Sequence, residues 1–235
     1  MFKTNVHFDL IRIFFFLVVV CLVLGLFSWP PQNLFCQNTG FKYLKNYTPK
    51  EYHGHSQNWC IIQDRRGIIY VGNHEGLLEF DGACWRRIPI PNDTVRSMAI
   101  DENETIYIGG NNQIGYLEPD SKGTLQYRSL LEHLRENQKN FADVWRTHAT
   151  KQGIYFRTSN FLFRWDPHSQ QINVWEESKY RFNASFVCGA RLFIHKREVG
   201  LMHLANDSLE MLPGGETFAD VKIYMLVQYD LHKLL

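Results

Sequence analysis

The chain alternates short apolar runs with tight polar turns, and the same order of runs and turns returns several times. Ile61-Ile62-Gln63-Asp64-Arg65-Arg66-Gly67-Ile68-Ile69-Tyr70-Val71-Gly72 reads as a strand, a turn and a second strand. Asn73-His74-Glu75-Gly76-Leu77-Leu78-Glu79-Phe80 then adds a polar loop and a third strand. The order recurs from Met98 through Asp101, Tyr107, Gly109 and Asn111-Asn112-Gln113 to Leu117, and again from Val144 through Gly153 and Tyr155 to Trp165. A more divergent copy runs from Ser185 through Phe193 to Leu204. Aligned on Tyr70, Tyr107, Tyr155 and Phe193, the copies stand 37, 48 and 38 residues apart. The long step holds an insertion, residues 129–134, whose Ser-x-x-Glu pattern predicts a short capped helix.

Three or four short strands per period of about 40 residues predict antiparallel meander sheets around an axis, the blades of a β-propeller. The copies lie near 59–90, 95–127, 144–176 and 182–212, and residues 218–235 read as the start of a fifth. The expected fold is therefore all-β, a partial propeller of about four blades plus the start of another, preceded by an N-terminal apolar helix. A β-sandwich also has many short strands but needs no fixed period. The repeated residues Asp64, Gly67, Gly72, Gly76, Asp101, Gly109, Gly115 and Gly153 have structural readings. Asp64 and Asp101 accept turn amides, Gly67 takes a positive φ, and Gly72 and Gly109 leave room for a close neighbour.

Residues 1–36 differ in kind. Lys3 and Arg12 precede an uncharged apolar stretch from Ile13 to Trp29, which predicts a signal peptide or an N-terminal membrane anchor. The flanking positive charge places the remainder of the chain outside the cytoplasm in either case, secreted across or anchored in the inner membrane. Residues 37–58 are a lead-in to the propeller. The net charge of +1 supplies no field for nucleic acid. Cys21 and Cys36 belong to the leader region, while Cys60, Cys84 and Cys188 are too far apart for a C-x-x-C motif and read as small strand-packing residues. A Cys60–Cys84 disulfide is the lesser alternative.

The run Ile62-Gln63-Asp64-Arg65-Arg66-Gly67-Ile68-Ile69-Tyr70-Val71-Gly72-Asn73-His74-Glu75-Gly76-Leu77 resembles the two-component regulator propeller repeat, I-x-D-x-x-G-x-[IL]-W-V-G-T-x-x-G-L. Tyr70 and Tyr107 replace the usual Trp, and Asn73 replaces Thr. The resemblance spans roughly residues 45 to 235. It implies the periplasmic sensory part of a bacterial signalling protein of the Bacteroidetes type, joined to further domains and an output such as a histidine kinase or DNA-binding module. A seven-bladed ring needs roughly 280 residues at this period, so a truncated array with exposed apolar blade faces is expected.

Loops between second and third strands fall on one face of such a propeller. They supply the candidate ligand-binding residues Asn73, His74, Glu75, Asn111, Asn112, Gln113, Asn160 and Arg197, donors and acceptors suited to a carbohydrate or small polar molecule. Solvated turns are the plain alternative. His53 and His55 could share a face as metal ligands, but with no third ligand they read as a solvated loop, and no metal or cofactor is expected. Trp145, Phe156, Phe161, Phe163 and Trp165 alternate as blade core. Asp64, Asp101 and Asp143 could act as catalytic acids, although the first two occupy equivalent turns. Sequons at Asn46, Asn92, Asn103, Asn183 and Asn206 read as turn chemistry. The reading is a non-catalytic ligand-binding sensor module, and an exported propeller enzyme acting on glycans, or a free secreted binding protein, is the rival.

Overall fold

A computed structural model of the chain describes residues 14–20 and 44–229. The chain divides into two units, Met1–Lys45 and Asn46–Leu235. In the first, residues 14–20 form a helix, α1, with largely exposed side chains. No helix among the described residues is long and apolar enough to cross a membrane. The rest of the leader, with Cys21, Cys36 and any cleavage or anchoring, lies outside the described residues.

The second unit opens with the one-turn helix α2 (Pro49–Tyr52) and continues as four sheets of four antiparallel strands each. Blade 1 holds β1 (Asn58–Gln63), β2 (Ile69–Asn73), β3 (Gly76–Phe80) and β4 (Trp85–Ile88). Blade 2 holds β5 (Val95–Ile100), β6 (Ile106–Gly110), β7 (Gln113–Pro119) and β8 (Leu125–Ser129). Blade 3 holds β9 (Arg146–Thr150), β10 (Gly153–Arg157), β11 (Phe161–Asp166) and β12 (Gln171–Glu176). Blade 4 holds β13 (Phe182–Cys188), β14 (Arg191–Lys196), β15 (Gly200–Ala205) and β16 (Ser208–Met211). Within each blade every strand pairs with the next in sequence, and the first strands β1, β5 and β9 pack side by side. The chain is a partial β-propeller.

The apolar pattern explains the packing. Tyr70, Tyr107 and Tyr155 occupy equivalent places on second strands and point from one blade into the next. Tyr70 joins Val95, Ile106 and Ile108, Tyr107 joins Ile154 and Phe156, and Tyr155 joins Phe182 and Ile194. The residue after each tyrosine faces the opposite way, so a central strand is apolar on both sides and reads as a continuous run. Fully burying one such ring stabilises by about 2–3 kcal/mol.

Turn chemistry follows the Asp-x-x-Gly pattern. Asp64 Oδ1 accepts the amides of Arg66 and Ile68, each at 3.0 Å, and Gly67 has φ +86°. Asp101 does the same with Asn103 and Thr105, where Glu104 takes the left-handed position at φ +64°. Asp120 repeats the device between β7 and β8, a copy the repeat pattern did not announce.

Three expectations need correction. Residues 129–134 form a single 3₁₀ turn, Leu131–His133, rather than a capped α-helix. Ser129 still belongs to β8 and its hydroxyl accepts the Leu131 amide, while Leu130 and Leu134 are drawn into the core between blades 2 and 3. Cys84 is exposed in the β3–β4 turn instead of packed in a strand, and Cys60, Cys84 and Cys188 are free thiols. The end blades are also less bare than expected. Tyr47 and Tyr52 cover Val71 and Leu78 on the outward side of blade 1. Ile223, Leu226 and Leu212 cover Phe193 on blade 4, in a stretch where residues 222–227 take no regular structure.

Candidate functional site

The innermost strand of a blade must expose side chains to the axis, and three of the four do so through a β-bulge. Register slips by one residue between Asn58 and Cys60 in β1, between Val95 and Ser97 in β5, and between Phe182 and Ala184 in β13. A bulge leaves one residue unpaired and re-aims its side chain. The residues so released are Trp59, Arg96 and Asn183. Trp145 holds the matching place in blade 3, because Val144 packs against Gly109 as Val95 packs against Gly72.

Trp59, Arg96 and Trp145 line an axial groove of about 530 Å³ with contributions from the first strands of all four blades, whereas Asn183 opens onto a separate concavity between blades 3 and 4. The Arg96 guanidinium lies 3.7 Å from the centre of the Trp59 ring and 5.3 Å from that of Trp145. Its Nη2 pairs with Asp143 Oδ2 at 3.0 Å, and Asn111 Nδ2 donates to the other Asp143 oxygen at 3.0 Å. Arg96 Nε and Nη1 and the Trp59 indole N–H are buried without a hydrogen-bond partner. Stacked, charged and only half satisfied, Arg96 is equipped to donate to a ligand oxygen. Deeper in the groove, His148 Nε2 lies 2.9 Å from Ser185 Oγ. Burial, helped by the charge of Arg146, pushes the His148 pKa down to about 4, so the ring is neutral near pH 7. Burial likewise pushes the Cys60 thiol up to about 12, which leaves it unreactive.

Most of the sequence-derived loop residues hydrogen-bond or pair within the protein, and two of the eight, Asn73 and Gln113, are buried. Asn73 is 0% exposed; its Nδ2 donates to the His55 and Gln57 carbonyls and to Asn58 Oδ1, and its Oδ1 accepts the His55 and Glu75 amides. It ties the lead-in to blade 1 and has no free group for a ligand. Asn112 Oδ1 accepts the Phe141 and Ala142 amides, buried Gln113 accepts the Tyr127 hydroxyl, and Asn160 caps the Glu177 carbonyl. His74 is exposed, 4.9 Å from the His55 ring and 3.3 Å from Thr94 Oγ1, and Glu75 pairs with Arg87. Asn111 reaches the groove only through Asp143. Arg197 is exposed on the side of blades 3 and 4, away from the groove.

His53 takes a left-handed cap at φ 53° after α2, and among the described residues no three His, Cys, Asp or Glu side chains gather as a metal site. Phe156, Phe161, Phe163 and Trp165 are core, but Trp145 is 45% exposed and belongs to the groove. Asp64 and Asp101 are turn acceptors, and Asp143 is the partner of Arg96. Among the sequons, Asn92 and Asn206 adopt positive φ turns, whereas Asn183 is a bulge residue.

No protein-family profile and no curated protein sequence matches the chain. Solved structures of similar fold include virginiamycin B lyase from Staphylococcus aureus, at 15% identity and TM-score 0.48 over 66% of this chain and 56% of that one. A streptogramin B lyase matches at 11% identity and TM-score 0.49 over 66% and 55%. The extracellular domain of a protein assigned as the hybrid two component system BT3049 of B. thetaiotaomicron matches at 14% identity and TM-score 0.48 over 65% and 22%. The likeness is one of fold alone. This chain spans about half the length of the two lyases.

Proposed function

We propose that residues 46–229 are the ligand-receiving part of a sensory propeller that works outside the cytoplasm. The observation that carries this reading is the axial groove, in which bulges in blades 1 and 2 bring Trp59 and Arg96 beside Trp145 of blade 3, with two N–H groups of Arg96 buried and unpaired. Aromatic faces beside a guanidinium suit a soluble polar ligand with ring faces and oxygens, such as a carbohydrate. The sensory role comes from the repeat resemblance, and the extracytoplasmic location from the basic then apolar leader. Adjacent domains of a longer protein would receive the signal, and an uncleaved leader would hold the module to the membrane.

The test is a thermal-shift screen of the full chain against soluble neutral and acidic oligosaccharides, followed by the same titration on Arg96→Gln and Trp145→Ala. A true ligand raises Tm in proportion to its occupancy. The rise should disappear in both variants, with the ligand recovered chemically intact. Binding that survives both substitutions would refute the groove, and turnover of the ligand would favour the rival reading, an exported enzyme.

A further inference from the structure

Blades 3 and 4 enclose a second concavity of about 620 Å³ on the face that carries the β10–β11 loop. Arg146, Arg157, Arg181, Arg197 and Lys222 line it, and no Asp or Glu does. Among the described residues none of these five cations is in an ion pair. Glu177 is committed to Lys196 at 2.6 Å and Asp143 to Arg96, while Glu198 and Asp220 are exposed and form no part of the lining. In a chain whose net charge is +1, five cations with no carboxylate in the lining are a local excess of positive charge.

Arg157 is the deepest of the five, 8% exposed. Among the described residues its side chain makes one hydrogen bond, from Nη1 to the Phe182 carbonyl at 3.3 Å, and its Nε is buried without a partner. Burial, together with the charge of Arg146, lowers its pKa to about 10, so it is still cationic at neutral pH. A buried guanidinium facing other cations without a counter-ion is unfavourable, and an anion entering the cup relieves both the missing hydrogen bonds and the repulsion.

We propose that this cup binds an oxyanion, the carboxylate or sulfate group of a soluble ligand, with Arg157 at its floor and Arg146, Arg181 and Arg197 closing around it. The proposal rests on the ligand-binding reading above, since Trp145 and Arg146 line both the cup and the axial groove. An anionic group in the cup places the rest of its ligand beside the exposed face of Trp145.

Calorimetric titration of the full chain with sodium sulfate and with sodium glucuronate, at ionic strength fixed by sodium chloride, tests it, with glucose as the neutral control. Saturable binding of at least one anion is expected, with no response to glucose. The preferred anion tells a tetrahedral from a planar group. The double variant Arg146→Gln, Arg197→Gln alters only exposed side chains and should lose about tenfold in affinity. Arg157→Met should abolish anion binding with the circular dichroism spectrum unchanged. Failure of both anions to bind, or equal binding by the Arg146→Gln, Arg197→Gln variant, overturns the cup. Failure of both anions together with binding of a neutral oligosaccharide that is lost in Arg96→Gln and Trp145→Ala would overturn the cup alone and leave the ligand-binding reading standing.

Discussion

Asn73 and Arg96 show two fates open to a polar side chain at the inner edge of a blade. Asn73 makes five hydrogen bonds inside the protein, so Asn73→Ala strands carbonyls and amides of the lead-in together. A loss of about 2–3 kcal/mol is expected, read from the urea midpoint of unfolding. Asn111→Ala removes only the support of Asp143; it should cost less than half as much stability while loosening Arg96. His148 gives the protein a pH response. Its folded pKa of about 4 lies below the ordinary value of 6.5, so the unfolded chain binds the proton more readily. Stability is complete above about pH 6.5, falls as pH drops towards 4 and levels off below, by at most about 3 kcal/mol. His148→Gln should flatten that part of the stability profile. None of these roles was legible residue by residue, because a polar loop residue looks the same in sequence whether it faces solvent or caps a carbonyl.

At the scale of the element, Gly72 and Gly109 carry the contact between neighbouring blades. A Cβ on Gly72 would lie 2.5 Å from Cys60 Sγ and 2.8 Å from Val95 Cγ1, and one on Gly109 would lie 2.8 Å from both Ser97 Oγ and Thr147 Oγ1. Gly72→Ala and Gly109→Ala should each destabilise by about 1–3 kcal/mol through overpacking, measured by denaturant titration. Gly67→Ala meets only the Gln63 side chain at an ordinary contact distance of 3.8 Å and suffers from its positive φ, at about 1 kcal/mol. The strands and the Asp64 and Asp101 turns could be read from the chain because both depend on local patterns. The bulges could not, since an inserted residue looks like a lapse in alternation, and they are what place Trp59, Arg96 and Asn183. The 129–134 segment misled for a related reason: its helical pattern is local, whereas burial of Leu130 and Leu134 is not.

At the scale of the molecule, each blade depends on its neighbours for cover, as in other repeat arrays. The order of blades was visible in the spacing of Tyr70, Tyr107, Tyr155 and Phe193, but the sealing of the ends was not, because Tyr52 and Leu226 belong to segments without the repeat. Tyr52→Ser together with Tyr47→Ser should uncover Val71 and Leu78, lower Tm and produce concentration-dependent association in size-exclusion chromatography. Stacks of identical sheets tend to grow without limit when a bare side meets another bare side. Tyr52 seated at the first sheet and Leu226 at the last each cover part of an otherwise bare side, which disfavours open-ended stacking of one copy on another.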